Sequence, residues 1–310
     1  MIAPIRFVVL TAVLLPALQT DAPQFVMWSA SELAELNATL STQMRLDHSG
    51  RETLAEYGNP SGAHRFRLIR RDADGVPEQY ARIEDVVLIQ SGEGLLVVGG
   101  ELVDRTGSNG EYTGTGIASG VRYPVGAGDV VHIPANAPHL YLIPEGGHLT
   151  YVLVRVPVLV DPVVPDDAPV LDFNPPGFAI WSEADLQGRH ELLSVRVRSD
   201  RSARETLADY GSPTRSHRFR YIHRDGDGVP EIHDDIIDVV FVKSGAGTLL
   251  VGGRMLDRRG SLGTGIAGGA RHPVAAGDVL HIPAKTPHGY LVPDGGHVTY
   301  VLVRIPAFVD

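Results

Sequence analysis

Residues 128–139 read GDVVHIPANAPH, and residues 277–288 read GDVLHIPAKTPH. In each stretch an apolar run ends at Ile-Pro, a short turn follows, and the stretch closes on Pro-His. A short apolar run bounded by Gly and Pro predicts a buried β-strand that leads into a turn. The sequence therefore predicts the same strand and turn at two places in the chain.

The repetition extends over most of the chain. Residues 114–161 and 263–310 match at 34 of 48 positions, and HRFR occurs at both 64–67 and 217–220. Units of this length are domains rather than solenoid repeats. We therefore predict two domains, 23–161 and 177–310, joined by a proline-rich, fairly stiff linker at 162–176.

Within each unit the pattern predicts a short helix followed by β-strands. Residues 29–32 (SASE) have capping-box spacing in front of leucines at helical intervals, and residues 182–185 repeat this signal in weaker form. The rest of each unit consists of alternating or short apolar runs separated by Gly and Pro. This arrangement predicts an all-β fold with two sandwiches or barrels.

Residues 1–22 predict a secretory signal peptide. Arg6 precedes an apolar segment that ends before Gln19, and this segment is shorter than the ~20 residues that span a bilayer. An uncleaved anchor and an apolar first strand are the alternatives. We expect a secreted or periplasmic protein, and we expect no membrane partner because no later stretch is apolar enough to cross a bilayer.

The composition excludes several classes of function. The 310-residue chain has a formal net charge of −10 and no basic run, so we expect no nucleic-acid partner. The absence of cysteine excludes a cysteine nucleophile, a thiolate metal site and a disulfide. Of the 27 basic residues only Lys243 and Lys285 are lysines. This bias indicates either carboxylate recognition by arginine or a biased codon supply, and we favour the second interpretation.

The repeated stretch is similar to the second conserved motif of the cupin superfamily, and its duplication resembles a bicupin. The first cupin motif has two His one residue apart, then a Glu, then a Gly seven residues later. In the second copy Gly245 closes this motif, so Asp238 takes the Glu position and Glu231 and His233 take the two His positions. A second register places His233 and Asp235 there. The resemblance implies two tandem jelly-roll barrels, each with a pocket in its mouth.

The first copy departs further from the family pattern. At the positions that match Glu231, His233 and Asp238 it has Glu78, Tyr80 and Asp85, and the His of its second motif is His139. Because Tyr80 replaces the central His, we expect a degenerate pocket that Tyr80 fills or to which it donates a hydrogen bond. The Gly usual in the turn of the second motif is replaced by Asn136 and Lys285. Asn tolerates a left-handed backbone better than Lys does, so we expect an altered turn at Lys285.

Four side chains of the second copy predict a metal site. Residues two apart in a strand point the same way, so Glu231 and His233 share a face. A turn through 234–237 would bring Asp238 beside them, and His288 could come from a facing strand. Two imidazoles and two carboxylates suit one divalent transition metal, Mn, Fe, Ni or Zn, with positions open for water or substrate. Asp235 is an alternative ligand, and a metal-free polar rim is the alternative interpretation.

Other histidines recur in both copies. We interpret His132, which lies within an apolar strand, as a hydrogen-bonded structural residue. His64 and His217 begin strands and share a face with phenylalanines. We consider a pocket position for both and do not favour it.

These patterns predict a secreted, metal-dependent bicupin enzyme that acts on a small organic molecule, of dioxygenase, decarboxylase, isomerase or lyase type. The chemistry would belong to the second copy, with Glu231 as a fourth ligand or as the general base. The alternatives are a non-catalytic bicupin that binds a sugar or another small molecule or serves for storage, and a structural protein. Because the two copies can pair within one chain, we expect a monomer or a homodimer.

Overall fold

The computed structural model describes residues 24–57, 64–158, 177–210 and 217–307. The predicted signal peptide at 1–22 lies outside the described residues, as does the predicted linker at 162–176. In the described part of the chain neither helix combines the length and the apolar character needed to cross a bilayer.

The first unit contains one helix and thirteen β-strands among its described residues. In chain order they are β1 (Val26–Trp28), α1 (Ala30–Ser41), β2 (Ser49–Tyr57), β3 (His64–Arg71), β4 (Glu78–Tyr80), β5 (Ile83–Val98), β6 (Glu101–Val103), β7 (Thr106–Ser108), β8 (Glu111–Thr113), β9 (Gly116–Ala118), β10 (Val121–Gly126), β11 (Val130–Ile133), β12 (His139–Leu142) and β13 (Leu149–Pro157).

The second unit repeats this order with fewer short strands among its described residues. Its elements are β14 (Ala179–Trp181), α2 (Glu183–Ser194), β15 (Ser202–Tyr210), β16 (His217–Arg224), β17 (Ile236–Val251), β18 (Arg254–Leu256), β19 (Gly265–Ala267), β20 (Ala270–Ala275), β21 (Val279–Ile282), β22 (His288–Leu291) and β23 (Val298–Pro306). The prediction of an all-β fold with two tandem jelly-roll barrels, each preceded by a short helix, is confirmed.

Both helices begin where the capping signals predict. The Ser29 side chain accepts a hydrogen bond from the Glu32 amide, and the Glu32 carboxylate accepts one from the Ser29 amide, which completes a capping box. In α2 the Ser182 hydroxyl accepts from the Asp185 amide at 3.1 Å. The Asp185 carboxylate accepts from that hydroxyl, so the second cap is a variant of the first.

One long strand connects the two sheets of each barrel. The first part of β17 pairs with β21 and β23, and its last part pairs with β20 and β22. The bend falls at a bulge next to Gly245, whose φ is 76°. A Cβ at Gly245 would lie 1.9 Å from the carbonyl oxygen of His297, so only glycine fits this close approach.

The leading strands of the two units are exchanged. β1 of the first unit pairs with β21 of the second, and β14 of the second pairs with β11 of the first. Each helix nevertheless packs on its own unit, α1 on β2 and β3, and α2 on β15 and β16. The exchanged strands carry Trp28 and Trp181, which join a buried apolar cluster built from both units. Two separate clusters fill the barrels themselves. The domain boundaries at 23–161 and 177–310 stay predictions.

Candidate active site in the C-terminal barrel

A cavity of about 180 Å³ lies inside the C-terminal barrel. Its wall is formed by β15, β16, β17, β22 and β23 together with the segment before β17. The four residues that the sequence predicts as metal ligands all line this cavity: Glu231, His233, Asp238 and His288. The alternative ligand Asp235 is exposed and does not line it.

Backbone pairing brings these side chains together. Glu231 and His288 form an antiparallel bridge in which each amide donates to the other's carbonyl at 2.8 Å. The Lys285 amide donates to the carbonyl of His233 at 2.6 Å and ties the Pro-His turn to the same segment. Asp238 follows at the start of β17, where its backbone pairs with that of Arg304 on β23. The first motif and the second motif therefore meet at one point in the barrel.

The spacing of the donor atoms suits a metal ion. The ligand atoms of Glu231, His233 and His288 all lie within 4.8 Å of one another. Asp238 Oδ2 lies 3.6 Å from His233 Nε2 and 3.4 Å from His288 Nε2. Ligand–metal bonds of ~2.0–2.2 Å place neighbouring donor atoms roughly 3–4 Å apart, so this set fits a transition metal with mixed nitrogen and oxygen ligands.

Hydrogen bonds set the orientation of both imidazoles. His288 Nδ1 lies 2.9 Å from the carbonyl oxygen of Thr286 and donates to it, which directs Nε2 into the cavity. Arg304 Nη2 lies 2.8 Å from His233 Nε2. A guanidinium has no acceptor, so His233 Nε2 accepts this bond and carries a lone pair that faces the cavity. Both imidazoles thus present Nε2 to the same space, as metal ligands do.

The Arg304 guanidinium already contacts three of the four groups. Besides His233, its Nη2 lies 3.1 Å from Glu231 Oε2, and its Nε lies 3.3 Å from Asp238 Oδ1. This cation balances the two carboxylates without a metal. A metal ion and Arg304 would compete for the same lone pairs, so metal binding requires the Arg304 side chain to move away.

The neighbouring charged and donor groups determine the charge states of Asp238, Glu231 and His288. Burial alone would raise the pKa of Asp238, but His288, Arg304 and His233 outweigh it and hold that pKa below its ordinary value. The pKa of Glu231 is lowered in the same way, against its burial, by His233, His288 and Arg304. Burial works against a charged His288, yet Asp238, the Thr286 carbonyl and Glu231 raise its pKa. The two carboxyl groups are therefore ionised at neutral pH.

Four arginines share the cavity with the two carboxylates. They are Arg204, Arg220, Arg224 and Arg304. Arg224 donates to the Tyr300 hydroxyl at 2.9 Å and lies 3.5 Å from Glu231, while Arg204 is paired with Asp200 outside the cavity lining. Half-buried Arg220 makes no hydrogen bond or ion pair with any residue that the structure describes. Burial and the positive charge of Arg304 lower the pKa of Arg220, which indicates an uncompensated cation.

The N-terminal barrel has the same framework with a much smaller cavity, about 40 Å³. The predicted degenerate set of Glu78, Tyr80, Asp85 and His139 lines it together with Arg155. The Arg155 guanidinium carbon lies 4.0 Å from the centre of the Tyr80 ring, and Arg155 Nε lies 3.4 Å from Asp85 Oδ1. Arg155 corresponds to Arg304 of the other barrel, so the larger Tyr80 ring, in the place of His233, is the group that takes up additional space here.

The loss of the central His changes the charge state of the first barrel. Burial raises the pKa of Asp85, and Arg155 with His139 does not compensate fully. The matching Asp238 has one more imidazole beside it and its pKa is lowered. The hydrogen bond from His288, the charge of Arg304 and the additional imidazole of His233 together keep Asp238 ionised, whereas Asp85 binds protons more readily.

The expectation of an altered turn at Lys285 is wrong. Lys285 has φ 61° and Asn136 has φ 65°, so both residues adopt the left-handed conformation in the same turn. The turn is fixed by a backbone bond to the first-motif segment of its own unit: the Lys285 amide donates to the His233 carbonyl, and the Asn136 amide donates to the Tyr80 carbonyl. The tertiary contacts impose the conformation despite the preference of lysine.

The arginines are the site residues that the sequence interpretation missed. Arg51, Arg67, Arg71 and Arg155 of the first unit match the four cavity arginines of the second at the offsets that relate the two copies, and they line the first cavity. The signal was their recurrence at alternating strand positions, which we attributed to codon supply. His64 and His217 lie outside both cavities, in the packing between the barrels.

The fold is similar to that of solved two-barrel proteins. The structure of salicylate 1,2-dioxygenase from Pseudaminobacter salicylatoxidans superposes with a TM-score of 0.58 and 12% sequence identity, over 92% of this chain and 85% of that chain. The chain has a bicupin fold. A protein described as glyoxylate-induced, from Pseudomonas aeruginosa, matches this bicupin with a TM-score of 0.53 and 13% identity, over 91% of this chain and 89% of that one.

A mutant of the same dioxygenase in complex with gentisate matches with a TM-score of 0.57 and 12% identity, over 94% and 84% of the two chains. At these identities the likeness concerns the fold. No protein-family model matches the sequence of this chain. No curated protein matches it either.

Proposed function

We propose that this bicupin is an enzyme that binds a small organic carboxylate in the C-terminal cavity and acts on it with one divalent transition metal. Glu231, His233 and His288 would hold the metal, with Asp238 beside them as a further ligand. The observation that carries the proposal is the convergence, in one cavity, of this donor set and four arginines. Mn, Fe, Ni and Zn all accept such ligands.

The charge balance of the cavity favours an anionic substrate. Four guanidinium groups face two carboxylates, and Arg220 has no partner among the described residues. Arginine binds carboxylates through two parallel hydrogen bonds, and these bonds are strong where water is excluded. A carboxylate ligand would give Arg220 its partner and would offer Arg304 an alternative to Glu231 and Asp238.

The volume limits the size of the substrate. An apolar cavity of ~150 Å³ holds one benzene molecule, so about 180 Å³ accommodates a single ring or a short chain. A solved dioxygenase mutant of the same fold is described in complex with gentisate, an aromatic carboxylate. Aromatic carboxylates are therefore the first class to test. The N-terminal cavity of about 40 Å³ has no room for such a molecule.

The protein residues have distinct roles in this proposal. A bound metal would supply Lewis acidity towards a substrate oxygen. Arg220 and Arg224 would orient the substrate carboxylate, and Glu231 would remain a ligand or accept a proton as general base. The choice among dioxygenase, decarboxylase, isomerase and lyase chemistry depends on the substrate.

Two matched pairs of variants test the proposal. Purified protein is reloaded with Mn²⁺, Fe²⁺, Ni²⁺ or Zn²⁺ and its metal content is measured. The comparison is His288→Ala with its counterpart His139→Ala. A metal content lower by one ion per chain in His288→Ala than in His139→Ala supports the site, and equal metal content in both variants contradicts it. Binding of salicylate and other carboxylates is then measured by calorimetry, and only Arg220→Gln, not Arg67→Gln, should weaken it at least tenfold.

A non-catalytic binding module is the second candidate function. The observation that favours it is Arg304, which already balances Glu231 and Asp238. For such a module we expect carboxylate binding that depends on Arg220, and the same metal content after reloading in His288→Ala as in the unaltered protein. The same two measurements therefore separate an enzyme from a binding or storage protein.

We also propose export through residues 1–22 to a secreted or periplasmic location. The support is the apolar segment that follows Arg6 in a chain without cysteine. Expression of the full chain followed by amino-terminal sequencing of the exported protein tests this. A mature protein that begins near Ala22 agrees with export, and an intact cytoplasmic chain contradicts it. The assembly state, a monomer or a homodimer, stays a prediction that light scattering measures.

A further inference from the structure

A second cluster of potential ligands lies between the two barrels, away from both cavities. Glu84 stands near the start of β5 and His132 lies in β11, both in the first unit, whereas His217 begins β16 of the second. One ligand atom from each lies within 4.8 Å of the others. Glu84 Oε2 is 2.6 Å from His217 Nδ1 and 3.5 Å from His132 Nε2. The cluster therefore joins the two halves of the molecule.

Both imidazoles are almost completely buried and incompletely satisfied. His132 is 1% exposed and His217 is 5% exposed. His132 Nδ1 donates to the carbonyl oxygen of Gly177 at 2.7 Å, which leaves a lone pair on Nε2, directed towards Glu84. His132 Nε2 has no hydrogen-bond partner among the described residues. A buried nitrogen without a partner is costly, so a ligand beside Glu84 would satisfy His132 Nε2. His217 faces Glu84 through Nδ1, which is its ligand atom in this cluster.

The duplication supplies an internal comparison. At the matching place across the interface stand His281, His64 and Ile237. The ring centres of His64 and His281 are 5.1 Å apart, and those of His132 and His217 are 5.0 Å apart. A tyrosine stacks on each pair at 4.2 Å, Tyr57 on His281 and Tyr210 on His132. The two clusters thus share their geometry and differ in the carboxylate.

Glu84 is therefore not needed for the fold, because isoleucine serves at the matching position. A buried carboxylate is unfavourable unless charged or donor groups compensate for its burial. His217 Nδ1, 2.6 Å from Glu84 Oε2, provides such compensation. A carboxylate beside two imidazole nitrogens is a set that binds transition metals.

We propose that Glu84, His132 and His217 bind a divalent transition metal, Zn²⁺ in the first instance, that bridges the two barrels. Two imidazoles and one carboxylate are typical protein ligands of zinc, and a fourth position stays open for water. Binding displaces the proton that His217 shares with Glu84. The site is independent of the proposed active site, since it uses none of its residues.

The test uses the full chain with His233→Ala and His288→Ala, which removes two ligands from the barrel cavity. This protein is stripped with a chelator, titrated with Zn²⁺ by calorimetry, and analysed for zinc after dialysis. We expect one zinc per chain and an unfolding temperature that rises with Zn²⁺, because a metal that binds only the native state stabilises it. Absence of bound zinc overturns the proposal.

Variants then assign the zinc to the cluster. Glu84→Ile introduces the residue that stands at the matching position, Ile237, where the fold accommodates it. This variant should abolish both zinc binding and the rise in unfolding temperature. His132→Ala should do the same, whereas its counterpart His281→Ala should keep one zinc. Circular dichroism of each variant without zinc verifies folding, and Glu84→Gln replaces Glu84→Ile if that variant fails. Zinc binding that persists without the Glu84 carboxylate, or that is lost with His281, contradicts the assignment.

Discussion

At the scale of single residues, the two barrels differ in what stands beside one buried aspartate. Asp238 has His233 and His288 as neighbours, while Asp85 has Tyr80 and His139. The hydrogen bond from His288, with Arg304 and His233, lowers the pKa of Asp238, whereas burial raises the pKa of Asp85. An arginine from the last strand balances the charge in both barrels. The stability of the C-terminal cavity therefore depends strongly on Arg304.

Replacement of Arg304 should show how strongly the stability of the protein depends on this side chain. Arg304→Met leaves the carboxylates of Glu231 and Asp238 buried without their main counter-charge, so the metal-free protein should lose about 3 kcal/mol of unfolding free energy. Urea denaturation at pH 7 measures the loss. Because Asp85 takes up a proton more readily, Arg155→Met should cost less. A divalent metal that uses the vacated lone pairs should restore Arg304→Met, and equal losses in the two variants without metal would contradict this electrostatic account.

The left-handed backbone conformation of Lys285 leads to a second prediction at the scale of single residues. Lys285 adopts φ 61° in a turn where Asn is more easily accommodated, as its counterpart Asn136 shows. Lys285→Asn should therefore raise the unfolding free energy by up to about 1 kcal/mol. Thermal and urea denaturation measure the gain. Lys285→Ala removes the same charge and keeps the conformational strain, so a similar gain in that variant would mean that charge, not backbone conformation, is responsible.

At the scale of elements, the sequence predicted the helices and the motif strands but not the continuity of the longest strand. The apolar run before Gly245 and the run after it read as two strands with a turn, whereas the structure has one bent strand, Ile236–Val251. The two halves of β17 pair with different neighbours, and those neighbours come from later in the chain. A local pattern does not contain that pairing.

Each barrel also caps the helix of the opposite unit. The Asp278 carboxylate accepts from the Ala30 amide of α1 at 2.9 Å and from the Ala275 amide at 2.8 Å. Asp129 does the same for Glu183 of α2 and for Gly126. The Gly-Asp pair at the start of the second motif thus has a structural role that its repetition alone did not reveal.

Loss of this cap should weaken the attachment of the first helix. Asp278→Ala leaves two partly buried amide hydrogen bonds without their acceptor and should reduce the unfolding free energy by about 1–2 kcal/mol. Asp129→Ala should have a similar effect on the other helix. Asp234→Ala, which removes an exposed carboxylate paired with Arg258, serves as the control and should be neutral. Chemical denaturation ranks the three variants, and a neutral Asp278→Ala would rule out the capping role.

At the scale of the whole molecule, the duplication predicted the two barrels but not how they join. The sequence placed Glu231 and His233 on one face, Asp238 beside them after a turn, and His288 on a facing strand, and all four line one cavity in the structure. The arginines were not assigned, because their role depends on which face of β15, β16 and β23 points into the barrel. The exchange of β1 and β14 and the core between the barrels depend on contacts between residues far apart in sequence, which no single segment specifies.

The interface between the barrels should make the molecule sensitive to acid. Burial and its neighbour His281 lower the pKa of His64 to about 3, and burial lowers the pKa of His281 to about 4. Below pH 6.5 the unfolded chain binds protons at these positions while the folded chain does not, so stability falls as the pH decreases from 6.5 towards 4. Each residue contributes a slope of about 1.4 kcal/mol per pH unit.

Urea denaturation at several pH values measures this slope. His281→Phe keeps an aromatic ring beside Tyr57 and removes one titrating group, so the dependence of unfolding free energy on pH should become shallower by about 1.4 kcal/mol per unit between pH 6 and 4. An exposed histidine, His48, provides the matched control in His48→Phe. An unchanged slope in His281→Phe would place the acid sensitivity elsewhere in the molecule.

The reciprocal exchange of leading strands has a consequence for how this molecule diversified. Two identical subunits that traded their first strands would make the same contacts, so the present chain has the architecture of a symmetric dimer whose subunits became one polypeptide. In such a dimer any mutation appears twice. Within one polypeptide each half changes independently. The second half can therefore have His233 at the position where the first half has Tyr80, and the first half can have Glu84 where the second has Ile237. One half can then retain an open cavity while the other half closes its own.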